Sequence, residues 1–368
     1  MAEIAVVGAG IVGLATAHAL ADRGVEVAVY ERGRPGNGQS GGDSRIFRHL
    51  HADPRLVALA RESRALWRAW ERRWGRELLR ADGLLCLAAD LDEPAALLAA
   101  GGVAARRVQG DELRKVLPVL GPGAQDGEGL LDEEAGVLRT GAAIELLSRE
   151  LADALVPDEV LALRPTDAGP VELRAGDGTR EYERVIVCAG RGTAALARGA
   201  GLELPVAQSA HVRLAFAVAG SAPPRLACLL DRRGAFGERS AYADPLPGNE
   251  LYAVGLDEAP VRADGALCEP DGLATIAART QRYVARALPG LAPGPVQARH
   301  CWVTELPWAA DGFAVWDVGG AAFFAGNNLF KHAPTVGRAL AAHALGDTSG
   351  LSLRPEQRLG APASMPAA

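Results

Sequence analysis

Apolar runs broken by glycine set the pattern of the first part of the chain. Ala5-Val6-Val7 runs into Gly8-Ala9-Gly10-Ile11-Val12-Gly13, and residues 14–21 continue as a helical pattern of small and aliphatic side chains. Gly24 closes that helix, and residues 25–30 form a second apolar strand that ends at Glu31. A loop rich in glycine and small polar residues follows over 32–44. The spacing of Leu56, Leu59, Leu66 and Trp70 predicts a long helix over 55–79, with arginines elsewhere on its surface and its tryptophans in the core. Further on, the pattern predicts a strand over 83–88 and helices over 93–100, 111–117 and 140–155. Strands over 159–163, 171–175 and 183–189 come next, with Asp177-Gly178 marking a hairpin. Residues 206–218 and 251–254 read as strands of a second sheet, separated by a loop over 231–249. A helix over 273–287 follows, and strands over 299–304 and 321–325 lead back to the first sheet. A helix over 334–345, with proline in its first turn, closes the pattern. The tail, 359–368, is composed of Gly, Ala, Pro, Ser and similar residues and reads as disordered.

The order strand, G-x-G-x-x-G, helix, strand, acid is a dinucleotide-binding fingerprint in its required context. Gly8 allows the tight turn, Gly10 lets the backbone approach a pyrophosphate, and Gly13 lets the helix lie close on the sheet. The helix N-terminus adds unpaired N–H groups and positive partial charge. Glu31, eighteen residues past Gly13, is placed to accept hydrogen bonds from a ribose and to repel a 2′-phosphate. The motif by itself does not choose between FAD and NAD. After Glu31, however, the chain enters a loop where an NAD-binding domain would continue with another crossover helix, and no second fingerprint occurs.

A length of 368 residues predicts two closely joined domains. The net charge of −6 gives no reason to expect nucleic acid or an anionic membrane as partner. Arginine greatly outnumbers lysine, and only Lys115 and Lys331 represent the latter. The five cysteines are scattered without a C-x-x-C pair, which predicts a reducing compartment, no disulfide framework and no metal site. There is no signal-peptide pattern and no uninterrupted apolar stretch of spanning length, so a cytoplasmic protein is expected.

Four separated pieces stand together: the fingerprint, Gly41-Gly42-Asp43-Ser44-Arg45-Ile46-Phe47-Arg48-His49, the strand ending Cys188-Ala189-Gly190, and Cys301-Trp302-Val303-Thr304 followed by Gly326-Asn327-Asn328-Leu329-Phe330-Lys331. In these the chain resembles the FAD-dependent amine oxidoreductases of the D-amino-acid oxidase superfamily, on the branch of monomeric sarcosine oxidase, N-methyltryptophan oxidase and pipecolate oxidase. The resemblance implies an α/β fold: a Rossmann-like FAD-binding domain (1–84, 136–205 and 298–358) interleaved with an α+β substrate domain on a mostly antiparallel sheet (85–135 and 206–297). It implies that Arg45 packs against the flavin ring, that Arg48 and Lys331 grip the substrate carboxylate, and that Cys301 holds FAD covalently through its 8α carbon. Val160 is similarly placed to a valine that meets adenine through its backbone. Cofactor contacts are expected at Gly8, Gly10, Ile11, Val12, Gly13, Glu31, Arg32, Ser40, Ser44, Ala189, Gly190, Gly326, Asn328, Leu329, Phe330 and Lys331. The residues themselves agree with part of this: an arginine and a lysine from distant segments can give charge-assisted bonds to one carboxylate. Lys331 also precedes a helix start, where its charge and the helix dipole could stabilise negative charge on a reduced flavin. His49, His300 and His332 read as scaffold residues.

Two departures from the family pattern stand out. The lysine that activates oxygen in sarcosine oxidases falls on Ala253, and Asp257 stands where the family usually has histidine. The flavin-edge loop, usually Gly-His-Gly-Phe-Lys, becomes Asn328-Leu329-Phe330-Lys331 after Asn327, and Gly41 replaces the first histidine of the arginine motif. The expected activity is FAD-dependent oxidation of a C–N bond in a small carboxylate-bearing amino acid, secondary or cyclic, by hydride transfer to flavin N5 to give an imine. No strong protein base is needed once the amine is neutral. The alternatives are a flavin dehydrogenase that passes electrons to an acceptor other than oxygen, or a catalytically silent FAD-binding subunit. Expected partners are the amino acid and oxygen or another acceptor, with the chain a monomer or small homo-oligomer.

Overall fold

A computed structural model describes residues 3–125, 127–166, 169–257 and 270–362. A six-stranded sheet runs in the spatial order Phe313–Val318, Ala321–Gly326, Arg184–Val187, Ile4–Val7, Val27–Tyr30, Leu155–Val156. All its pairs are parallel except the first. Its central strands are continuous apolar runs because both faces are covered. The fingerprint helix Ile11–Ala21 is buried from Ile11 through Leu20, apolar on all sides because it lies between the sheet and the helix Ala333–Ala344. The two helices touch backbone to backbone: a Cβ at Gly337 would come within 2.6 Å of the Ala15 carbonyl carbon.

A second, eight-stranded sheet has the order Leu291–Glu305, Ala207–Val218, Leu251–Leu256, Ala241–Pro245, Cys228–Arg232, Leu84–Ala88, Glu128–Asp132, Ala105–Gln109. It is antiparallel apart from the Cys228–Arg232 and Leu84–Ala88 pair. The helix Pro270–Ala287 packs on it. A three-stranded sheet, Ser44–Phe47, Gly136–Arg139 and Leu79–Arg80, sits between the two halves. The long helix expected over 55–79 is Pro54–Trp74: Asp53 caps its N-terminus by accepting the Arg55 N–H at 2.9 Å, and Gly75 ends it at φ 61°, short of the expected end because Leu79 belongs to the strand Leu79–Arg80. Trp67 and Trp70 are core residues, as their spacing implied. Asp177-Gly178 does turn a hairpin, but it joins Val171–Ala175 to the unexpected strand Gly178–Tyr182, while Arg184–Val187 beyond it pairs in parallel with Ile4–Val7.

Several expectations need correction. The helix expected over 140–155 ends at Glu150, and Leu155–Val156 is the edge strand of the first sheet. Residues 299–304 do not lead back to the first sheet: they belong to the single strand Leu291–Glu305, paired along Ala207–Val218, so the expected domain boundary at 298 falls inside an element. The expected loop over 231–249 contains the strand Ala241–Pro245, whose aspartate and proline hide its alternation. The tail is ordered further than composition suggested: Trp308 Nε1 donates to the Leu359 carbonyl at 3.0 Å, and the Gly360 N–H to Asp53 at 2.8 Å. The rest of that tail, from residue 363, lies outside the described residues. No helix among the described residues is long and apolar enough to cross a membrane.

Candidate active site

The carboxyl ends of the parallel strands form a crevice around the glycine turn. Gly8 has φ +100°, and a Cβ there would lie 2.6 Å from the Cys188 carbonyl oxygen at the end of the neighbouring strand. A Cβ at Gly13 would overlap the Gly8 carbonyl oxygen, so the third glycine is needed for the helix to sit where it does. Glu31 accepts the Ala9 N–H at 2.9 Å and the Gly33 N–H at 3.0 Å, which leaves it further acceptor capacity. Ser40 accepts the Ile11 N–H at 2.9 Å, with Gly10 close beside it and Val12 buried on the helix. Ala189 and Gly190 follow the strand Arg184–Val187, and Gly190 has φ +56°. This close-packed turn of main chain at the start of the helix Ile11–Ala21 fits a dinucleotide. Val160 is buried at the start of its strand. Arg32 pairs with Glu159 at 2.9 Å on the exposed surface.

Towards the second sheet, Arg45 is held by the carbonyls of Ser44 (2.8 Å), Gln39 (3.1 Å) and Gly41 (2.5 Å). Burial depresses its pKa, while Cys301 acts in the opposite direction. Cys301 is half-buried, opposite His211 in the strand pairing, and close enough to bear electrostatically on both Arg45 and Arg213. Arg213 and Asp244 form a buried ion pair at 2.5 Å, while Arg213 Nε and Asp244 Oδ2 have no hydrogen-bond partner among the described residues. A cavity of about 340 Å³ is lined by Ser44, Arg45, Arg213, Ala253 and Arg299 among others.

A second cluster assembles Arg48 and Lys331. Arg48 donates through Nη1 to the Leu50 carbonyl and through Nη2 to Asp311 at 2.6 Å. Asp311, on the turn before the strand Phe313–Val318, also takes the His51 Nδ1 bond at 2.9 Å on the same oxygen and the Asn328 amide on the other. Lys331 is only 3 % exposed and donates to the Asn328 carbonyl at 3.0 Å. Gly326 (φ +154°) and Asn328 (φ +54°) shape the loop that carries it. Burial and then Arg48 lower the Lys331 pKa to about 7, opposed by Asp311. Burial would raise the Asp311 carboxyl, but Arg48, His51 and Lys331 together hold it well below the usual range. Burial and Arg48 push His51 down to about 3, and burial with Lys331 holds His332 well below its ordinary value. Leu329 packs beside the core and the Phe330 ring is buried, stacked on Trp67 at 6.1 Å and 4°, so that ring serves the core. His49 pairs with Asp132 at 2.8 Å inside the protein, as a scaffold histidine would.

Sequence reasoning thus located both cations of this cluster and missed Asp311, His51 and the Arg213–Asp244 pair. Asp311-Gly312 looks like an ordinary turn, and nothing in its spacing announces a charged hub.

A glycine-turn dinucleotide crevice facing a second sheet across buried charges defines a two-domain, dinucleotide-dependent enzyme. The chain belongs to the DAO family of FAD-dependent oxidoreductases, whose model matches residues 3–343. Among solved structures it is similar to NikD, an unusual amino acid oxidase essential for nikkomycin biosynthesis, with a TM-score of 0.84, 23% identity, and coverage of 100% of this chain and 98% of that one. L-proline dehydrogenase from P. horikoshii superposes with a TM-score of 0.81 at 18% identity over 95% and 94% of the two chains. Glycine oxidase from Geobacillus kaustophilus does so with 0.78 at 20% identity over 99% of each. No curated protein matches the sequence.

Proposed function

We propose that this protein oxidises the C–N bond of a small carboxylate-bearing amino acid, secondary or cyclic, to an imine. The observation that carries the reading is that Arg48 and Lys331, far apart in sequence, are brought to one half-buried carboxylate, Asp311, which Arg48 pairs with directly and Lys331 meets electrostatically. Arg48 and Lys331 hold the substrate carboxylate by charge-assisted hydrogen bonds, and Arg48 keeps the stronger geometric preference through its fork. Bound FAD supplies the two-electron acceptor for the amine. Gly8, Gly10, Gly13, Glu31 and Ser40 hold its dinucleotide end, with Val12, Val160, Ala189 and Gly190 along the crevice. Ser44, Arg45 and the loop from Gly326 to Lys331 take the ring end, and Cys301 is its covalent anchor. NikD, L-proline dehydrogenase and glycine oxidase act on amino acids by name, and their shared fold supports the substrate class.

Anaerobic titration of the purified yellow protein with N-methylglycine, proline, pipecolate and primary amino acids tests the proposal. At least one carboxylate-bearing amine bleaches the flavin, and the matching amine without its carboxylate does not. Failure of every such amine refutes the reading. Arg48→Gln or Lys331→Met lowers the reduction rate at limiting substrate by about 10²–10³-fold, as expected for an interaction worth roughly 3–4 kcal/mol. Yellow colour retained in the acid-precipitated pellet tests the Cys301 link, and Cys301→Ala abolishes it.

One observation favours an acceptor other than oxygen: Ala253, with no ammonium of its own, lines the cavity beside Arg45. A dye-coupled turnover far faster than the oxygen-coupled one supports this dehydrogenase reading, and equal rates reject it.

A further inference from the structure

We propose that Asp311 is the positioning residue of the carboxylate grip, a single side chain that sets the geometry of Arg48 directly and of Lys331 through Asn328. The inference rests on the reading that Arg48 and Lys331 bind the substrate carboxylate. Asp311 has both oxygens engaged: Oδ2 by Arg48 (2.6 Å) and His51 (2.9 Å), Oδ1 by the Asn328 amide. Three segments meet on it: the stretch after the strand Ser44–Phe47, its own turn, and the loop that carries Lys331. Asn328 is the hinge of the indirect arm, because its amide donates to Asp311 while its carbonyl accepts from Lys331 Nζ at 3.0 Å.

Counting donors separates positioning from blockade. A guanidinium has five N–H groups and an ammonium three. Arg48 uses one on the Leu50 carbonyl and one on Asp311, and Lys331 uses one on Asn328. Donors remain on both cations, so Asp311 aims the pair without exhausting it. The groups that face Lys331 are Arg48 and His51 from one side, Asp311 from the turn, and His332 from the helix start. Both histidines are held neutral by burial, so Asp311 is the anion that favours the charged form of Lys331.

A consequence in pH follows. Burial and then Arg48 bring the Lys331 pKa down to about 7 in the ligand-free protein. A bound carboxylate favours the ammonium, so affinity for a carboxylate is level below that pH and falls above it as proton uptake becomes necessary. Without Asp311 the ammonium is lost at lower pH, and the fall in affinity moves down with it.

The test is titration of the FAD-loaded enzyme with benzoate, followed by the change in flavin absorbance, across pH from about 6 to about 10. Asp311→Asn weakens benzoate by about tenfold or more at the acid end, as expected when an aimed charge-assisted contact is lost, and shifts the pH midpoint down. Asp311→Glu restores part of both. Arg48→Gln separates the two levels of the argument. If Arg48→Gln binds benzoate like the parent, the grip itself is wrong. If Arg48→Gln fails to bind while Asp311→Asn keeps the parent affinity and pH profile, the grip stands and the role of Asp311 is overturned. Tighter binding by Asp311→Asn also overturns it, because Asp311 would then be a competitor for Arg48. Should Asp311→Asn fail to retain flavin, Asn328→Gly tolerates the positive φ and removes only the amide arm: weaker benzoate binding supports the inference, and parent-like binding overturns it.

Discussion

The two ends of the cleft are built by different means. At the glycine turn the geometry is set by main chain, and side chains matter mainly by being absent or by accepting a backbone N–H, as Glu31 and Ser40 do. At the second sheet and the Asp311 turn the charges are carried by side chains, the buried pair Arg213–Asp244 and the half-buried pair Arg48–Asp311. Backbone recognition is tolerant of drift in everything except its glycines. Side-chain recognition places a few charges in low-dielectric surroundings where each depends on its partner.

That contrast can be broken at several points. The largest effect is expected at the turn: Gly13→Val has no space for its side chain against the Gly8 carbonyl, and the protein should purify colourless, read as loss of visible flavin absorbance. Next comes Arg213→Met, which strands Asp244 inside the protein and destabilises it by about 3–5 kcal/mol. Adding Asp244→Leu should recover most of that loss in denaturant unfolding, whereas no recovery would mean the pair is not an isolated unit. Ala253→Lys introduces a cation into the cavity beside Arg45 and should speed reoxidation by oxygen about tenfold, equivalent to roughly 1.4 kcal/mol, as measured by stopped-flow. The smallest effect is expected at Arg32, whose exposed pair with Glu159 is of a kind worth at most about 1 kcal/mol. Arg32→Ala should leave melting temperature and flavin content nearly unchanged, and a colourless variant would return Arg32 to the cofactor site.

The same contrast explains what could be read from the residues alone. A backbone cradle has to be written in glycine, so Gly8, Gly10 and Gly13 with the flanking apolar strands disclosed the crevice, the sheet and its helix. Arg48 and Lys331 were legible through a family pattern and through the scarcity of lysine. Asp311 was not, because its importance arises only when segments 260 and 263 positions apart in sequence come together. The strand Leu291–Glu305 was misplaced for a related reason: it lies at the sheet edge with much of its length exposed, so it lacks the continuous apolar run of the strands buried on both faces. Arg213 and Asp244 sit within strands and look like solvent-facing positions until their pairing is known.

The contact of Gly337 with Ala15 has a wider meaning. One of the two helices begins at the dinucleotide turn and the other immediately after Lys331. Main chain pressed against main chain ties these starting points together with no adjustable side chain between them. Any shift of one starting point relative to the other must therefore be taken up by main chain rather than by repacking of a side chain.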